Sequence, residues 1–262
     1  MKGVVKMIVA GVVILIIGGI LLLVYLGLNG WSFKLDYEMK TYDNQSPIHT
    51  LNTKMEVGEL KTEFYDGEFV IVDYPESEKL DVRCTEENGK LTVTSKMKHW
   101  YNFIGCFADF PTITVRIPKS LELNLDLTVN AGTLNLADGE YGDISVHLNA
   151  GTVKLNDITC NELKCEVNAG TLNSEKVLCL ESVKTTVNAG TINLKNVNSD
   201  DIAVDVSAGS CNILVEGKKS DYRIESKVSA GSCNVENQSG NDLGKVTVKV
   251  SAGSANIKFT ED

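Results

Sequence analysis

No catalytic signature runs through this chain. Gly-x-Ser-x-Gly, His-Glu-x-x-His and phosphate-cradling glycine loops are all missing, which excludes the commonest hydrolase, zinc-protease and nucleotide-binding classes. The three arginines, Arg83, Arg116 and Arg223, are far apart in sequence, so the clustered charges of polysaccharide-cleaving solenoids are absent. Only 4 prolines occur among 262 residues, and the 22 glycines follow no collagen-like period. No Cys-x-x-Cys is present and the cysteines are odd in number, seven, so neither a zinc site nor a disulfide framework is indicated. Positive charge is also short. The net charge is -10, and because Lys2 and Lys6 are the only charges of the first 30 residues, the remainder carries -12. Such a surface repels nucleic acid and anionic lipid or wall polymer, and favours cations, basic partners or neutral glycans. These absences assign no catalytic, cofactor-binding or metal-ligating residue, and no cofactor.

One long apolar run stands at the start. Residues 8–28, from Ile8 to Leu28, are 21 uncharged residues, enough to cross a hydrocarbon core of ~30 Å at ~1.5 Å per residue. The run exceeds a signal-peptide core and no Ala-x-Ala follows it. An uncleaved anchor is expected over residues 1–30, rather than a leader cut near Gly30. Lys2 and Lys6 keep the short N-terminus in the cytoplasm, and Tyr25 and Trp31 suit the far interface. The expected location is the cell membrane, single-pass, with the C-terminal domain extracytoplasmic. Residues 31–52 read as a polar juxtamembrane linker and residues 53–262 as the folded domain.

That domain is written in one repeated phrase. Val129-Asn130-Ala131-Gly132-Thr133-Leu134-Asn135-Leu136 recurs in variants, with glycines at Gly132, Gly151, Gly170, Gly190, Gly209, Gly231 and Gly253, in steps of 19, 19, 20, 19, 22 and 22 residues. A fixed period near 20 marks a stack of small units. One residue before each Asn or Ser stand Val129, Leu148, Val167, Val187, Val206, Val228 and Val250. Five before stand Leu125, Ile144, Leu163, Val183, Ile202, Ile224 and Val246. Even spacing puts these columns on one strand face. Beyond Ala-Gly the apolar parity shifts, so the seven glycines read as strand corners. The fold class is all-β, a single-stranded, right-handed parallel β-helix or β-solenoid with coils of about 19–22 residues. Each coil is expected as strand, corner, strand, loop, with 121–262 forming seven regular repeats and 53–120 the irregular first coils. The Asn column reads as an amide ladder. A second column, Asn135, Lys154, Asn173, Asn193, Asn212, Asn234 and Asn256, points outward, as a further ladder or as a polar face for a ligand. Cys211 and Cys233 fall in one inward column on successive repeats, as small core residues or as a disulfide.

Ahead of the repeats, strand-like runs at 68–72, 80–84, 90–94 and 112–118 alternate with turn signals at Tyr65-Asp66-Gly67 and Glu87-Asn88-Gly89. Between the last two lies an aromatic cluster that includes Trp100, Tyr101, Phe103 and Phe107. It reads either as a cap on the solenoid or as an exposed partner surface.

The phrase [VL]-[NS]-A-G-[ST]-x-[NK]-[LISV], following an alternating stretch that ends Ile117-Pro118-Lys119, resembles the DUF4097 family of putative adhesins and is similar in plan to the head-GIN adhesin domains. The resemblance covers roughly residues 50–260. It implies a parallel β-helix in a bacterial envelope protein, with an adhesin role inferred from shape, and it brings no catalytic residues. The expected function is therefore a non-enzymatic interaction module, for adhesion, envelope binding or envelope-stress signalling. Its partners are the membrane through residues 8–28 and an envelope protein or glycan, with no nucleic acid. An enzyme acting on envelope polysaccharide and a structural spacer or assembly unit pairing through the C-terminal coil are the rivals.

Overall fold

The computed structural model describes residues 36–98, 112–241 and 243–261. Strands dominate, and the described residues hold a single 3-10 turn, Lys219–Asp221, and no α-helix. The anchor expected at residues 8–28 and the aromatic cluster with Trp100, Tyr101, Phe103 and Phe107 lie outside the described residues.

The repeats stack in parallel and in register. Leu125 pairs with Ile144, Leu163 with Val183, Val183 with Ile202 and Ile202 with Val246. Alternation is the cause: Leu125, Leu127 and Val129 point inward from Asn124–Leu136 while Asp126 faces out, as period-2 side-chain geometry requires. The inward columns are buried throughout, with one exception coil. Ser226 and Cys233 are half-buried there, and Val228 is 42% exposed.

The segment expected as a loop is a third face. Ile158 pairs with Val177, Val177 with Val197, Val197 with Val215 and Val215 with Phe259, and all five are buried. Polar pairs such as Asn156-Asp157 and Glu175-Lys176 precede this run, which shrinks from Val177-Leu178-Cys179-Leu180 to a lone Val197 on the next coil, so its apolar signal is short and irregular. Three inward faces per coil close a continuous core, although the sheet itself does not close into a barrel.

Coil order departs from chain order at both ends. The last repeat, Gly244–Val250 and Ser254–Phe259, inserts between Asp201–Val206 and Tyr222–Val228 on one face, and between Ser210–Val215 and Ser232–Cys233 on another. Gly244–Val250 is therefore covered on both sides, whereas the outer side of Ser254–Phe259 is covered by a strand only at Ser254 and Ala255; the open edge is formed by Tyr222–Val228, Ser232–Cys233 and the end of the terminal strand. Gln238 crosses it, exchanging backbone hydrogen bonds of 2.9 Å with Ile224. The inserted coil carries Val246, Val248 and Val250, whereas the outer coil carries Ile224, Ser226 and Val228. The more apolar coil takes the position covered on both sides, as burial energetics favour.

At the other end, Thr50–Met55 lies between Lys90–Met97 and the Asn124–Leu136 strand, and Glu59–Tyr65 lies between Thr112–Pro118 and the same strand. Antiparallel strands finish this end: Leu80–Glu87 pairs with Lys90–Met97 and Glu38–Asp43 with Ile71–Glu76. The hairpin turn uses Asn88 and Gly89 at φ 52° and 71°, the left-handed pair that suits two-residue hairpins. Glu38–Asp43 falls inside the stretch expected to be a linker.

The corner glycines divide into two kinds. Gly132 and Gly151 have φ of 145° and 117°, whereas Gly170, Gly190, Gly209, Gly231 and Gly253 do not enter the left-handed region. What the later corners require is space, since a Cβ on Gly190 would lie 2.4 Å from the Gly170 carbonyl oxygen.

Candidate binding face

The strand after each corner presents two outward columns. Thr133, Thr152, Thr171, Thr191, Ser210 and Ser254 pair successively across six coils, with Ser232 beyond Ser254. Two residues along, Asn135, Lys154, Asn173, Asn193, Asn212 and Asn256 do the same. Six spacings of about 4.8 Å make the hydroxyl column roughly 29 Å long. Apart from exposed Lys154, the residues of both columns from Thr133 to Asn256 on these coils are half-buried, because each side chain packs against its copy on the next coil. No carboxylate stands in either column on these coils; one strand further out the columns continue as Glu59, paired with Thr133, and Lys61, paired with Asn135.

The amide column is a ladder over three coils. Asn193 donates to Asn173 and Asn212 to Asn193, each at 2.8 Å. Asn135, separated from them by Lys154, donates to Glu59 at 2.8 Å. A primary amide has two N–H donors and two acceptor lone pairs, so Asn193, which donates to one neighbour and accepts from the other, keeps one of each for an outside group. Such a surface offers alternating donors and acceptors without net charge.

At the corner a second ladder runs through Asn130, Asn149, Asn168 and Asn188, with amide-to-carbonyl distances of 2.6, 2.6 and 2.5 Å. It ends where Ser207 replaces Asn. This column fixes coil spacing at the turn, as expected of stacked amides.

The strand before the corner is charged instead. Lys184 donates to Glu162 at 2.6 Å, which holds the Glu162 carboxyl below its usual range and raises the Lys184 ammonium. His147 lies 3.3 Å from Glu166, and Glu225 meets both Arg223 and Lys245. The outer surface is thus divided into a mixed-charge face and an almost uncharged hydroxyl–amide face.

Cysteines lie mainly inside. Burial pushes the Cys211 thiol up to about 12 and the half-buried Cys84 thiol to about 11, and raises Cys165 as well. The expected adjacency of Cys211 and Cys233 is corrected: both pair with Ala255, which lies between them. Two strand spacings of about 4.8 Å exceed the reach of a disulfide. Among the described residues no group of His, Cys, Asp or Glu has the arrangement of a metal site.

The fold and these faces define a parallel β-solenoid with three-faced coils and short antiparallel caps at one end. The chain belongs to the Toastrack DUF4097 family, whose model matches residues 51–262. A Parabacteroides distasonis protein described as a putative lipid binding protein shares 14% identity, with 86% of this chain and 97% of that chain covered, at a TM-score of 0.50. A putative adhesin from the same species shares 12% identity over 86% and 98% of the two chains, at 0.46. A putative cell adhesion protein from Clostridium sporogenes shares 15% over 87% and 100%, at 0.39. At these identities the likeness is one of fold. No curated protein matches the chain.

Proposed function

We propose that this chain is a non-enzymatic binding module, held at the membrane by residues 8–28, that displays its solenoid outside the cell and engages neutral envelope glycan through the Thr/Ser–Asn face. The observation that carries this reading is the pair of uncharged columns, Thr133 to Ser254 and Asn135 to Asn256, repeated in register coil after coil. Sugar hydroxyls both donate and accept, and so do these side chains. The acidic remainder of the surface disfavours anionic lipid and wall polymer. A polysaccharide-cleaving enzyme would instead need paired carboxylates, and this face carries amides and hydroxyls at those positions.

The test is binding of the full-length chain, in detergent, to arrays of neutral and anionic glycans. Neutral glycans should be retained with little dependence on salt, because no ion pair forms. Replacing Thr171 and Thr191 together by Val, which keeps shape and strand propensity but removes both hydroxyls, should weaken retention while the chain keeps its cooperative melt, and Lys164→Glu on the other face should leave retention unchanged. Retention of anionic glycans alone, or indifference to the paired threonine changes, would refute the reading.

A further inference from the structure

Cys160 and Cys179 are paired residues of adjacent parallel coils, on the third inward face. Their Sγ atoms are 3.0 Å apart and both side chains are buried. Of the other described cysteines, Cys165 pairs with Thr185, Cys211 and Cys233 with Ala255, and Cys84 with Val93. Only this couple meets thiol to thiol. Neighbouring strands set their Cα atoms about 4.8 Å apart, inside the range a disulfide spans, and the sulfurs need close by only about 1 Å to reach bonding distance.

We propose that Cys160 and Cys179 are a disulfide-forming site that staples two successive coils, with a small-molecule or protein disulfide as the oxidant. The pair's surroundings govern when the bond forms. The hydrogen bond with Cys160 raises the proton affinity of the Cys179 thiol, and burial adds to this. The closed coil therefore holds little Cys179 thiolate, and the thiolate is the attacking species. Access comes before the coil closes, or by local opening at the adjoining irregularity. There one residue of the first coil, Asn161, faces two of the next, Leu180 and Glu181, and Leu180 is 64% exposed.

With glutathione disulfide as the oxidant, the Cys179 thiolate attacks one of its sulfurs, the S–S bond of the oxidant breaks, and one glutathione thiolate leaves. Cys160 then loses its proton and attacks the Cys179 sulfur, releasing the second glutathione. Two protein thiols are oxidised to one disulfide, and one glutathione disulfide is reduced to two thiols.

The test uses the full-length chain, unfolded with reductant and refolded in a glutathione redox buffer, then denatured, alkylated and digested. Alkylation should reach five of the seven cysteines, and a single linked peptide pair should carry Cys160 and Cys179. The melting temperature should rise by about 5–10 °C over the reduced chain, as expected for closing a loop of this length in a domain of this size. Cys160→Ser should alkylate at all its remaining cysteines and lose the gain. Native chain held with glutathione disulfide just below its melting temperature provides the same mapping without refolding. Seven alkylated cysteines in both samples, or linkage to Cys165 instead, overturns the proposal.

Discussion

Gly190→Ala tests what the corner glycines do. Gly190 has no left-handed backbone conformation to protect, so an argument from φ predicts a neutral or slightly stabilising change, worth about 0.4–1 kcal/mol through the unfolded chain. The stack predicts the opposite. An added Cβ would lie 2.4 Å from the Gly170 oxygen, 2.5 Å from Val167 Cγ1 and 2.9 Å from the Gly170 nitrogen. Two of these atoms are backbone of the preceding coil, which accepts the Thr191 amide at 2.8 Å through that same oxygen. Relief requires the coils to part by about 1 Å, stretching that bond and the neighbouring amide ladder. Overpacking of this kind costs about 1–3 kcal/mol, and a weakened hydrogen bond adds about 0.5–1.5 kcal/mol. After the opposing entropy term, about 1–4 kcal/mol of destabilisation remains. At about 2–4 °C per kcal/mol for a domain of this size, the melting temperature falls by roughly 2–16 °C. Circular dichroism melts of the full-length chain measure it. Gly217→Ala is the control, since its φ is 102° and nothing lies within 4 Å of the added carbon; its cost comes from backbone alone, about 1–2 kcal/mol. A Gly190→Ala chain that melts at or above wild type refutes the stacking argument.

Three further outcomes follow from the same geometry. Val206→Asp places a carboxylate in a fully buried column between Val187 and Val250. It should cost more than about 4 kcal/mol and abolish the cooperative melt; a transition within a degree or two of wild type contradicts the column. Asn168→Ala removes two ladder hydrogen bonds and should lose about 1–3 kcal/mol in urea unfolding, whereas no change would make that ladder energetically idle. Glu162 titrates below its ordinary 4.5 because Lys184 donates to it. A depressed folded-state carboxyl adds stability above its unfolded pKa, and that stability is lost as pH falls through the folded value. Glu162→Gln should therefore be no less stable than wild type at acid pH and slightly less stable at neutral pH. Equal separation of the two denaturation midpoints at pH 3 and pH 7 would contradict the coupling.

How much was legible in the chain differs from element to element. Val187, Val206 and Val250 declare their burial by period 2, and the Asn130-to-Asn188 column declares its ladder by identity at a fixed step. The hydroxyl–amide face was legible only by halves. Parity turns Asn173, Asn193 and Asn212 outward, but the threonine column carries no functional signal of its own until its copies stack. The Cys160–Cys179 pair was hidden because its face looked like a loop, while Cys211 and Cys233 shared a column that Ala255 divides.

The sequence alone determined the coil's length, the inward residues on the two strands flanking each corner, and the parallel register of the repeats from Leu125 to Ile202. These follow from local alternation and a repeated step, which any stretch of the chain displays. Tertiary structure alone decided the order in which coils stack at the ends, and why the later corners need glycine. Every coil offers nearly the same hydrogen-bonding edge, so pairing does not say whether Ile224 or Val246 docks on Ile202. Burial decides it, by placing the coil with Val248 inside and the coil with Ser226 at the open end.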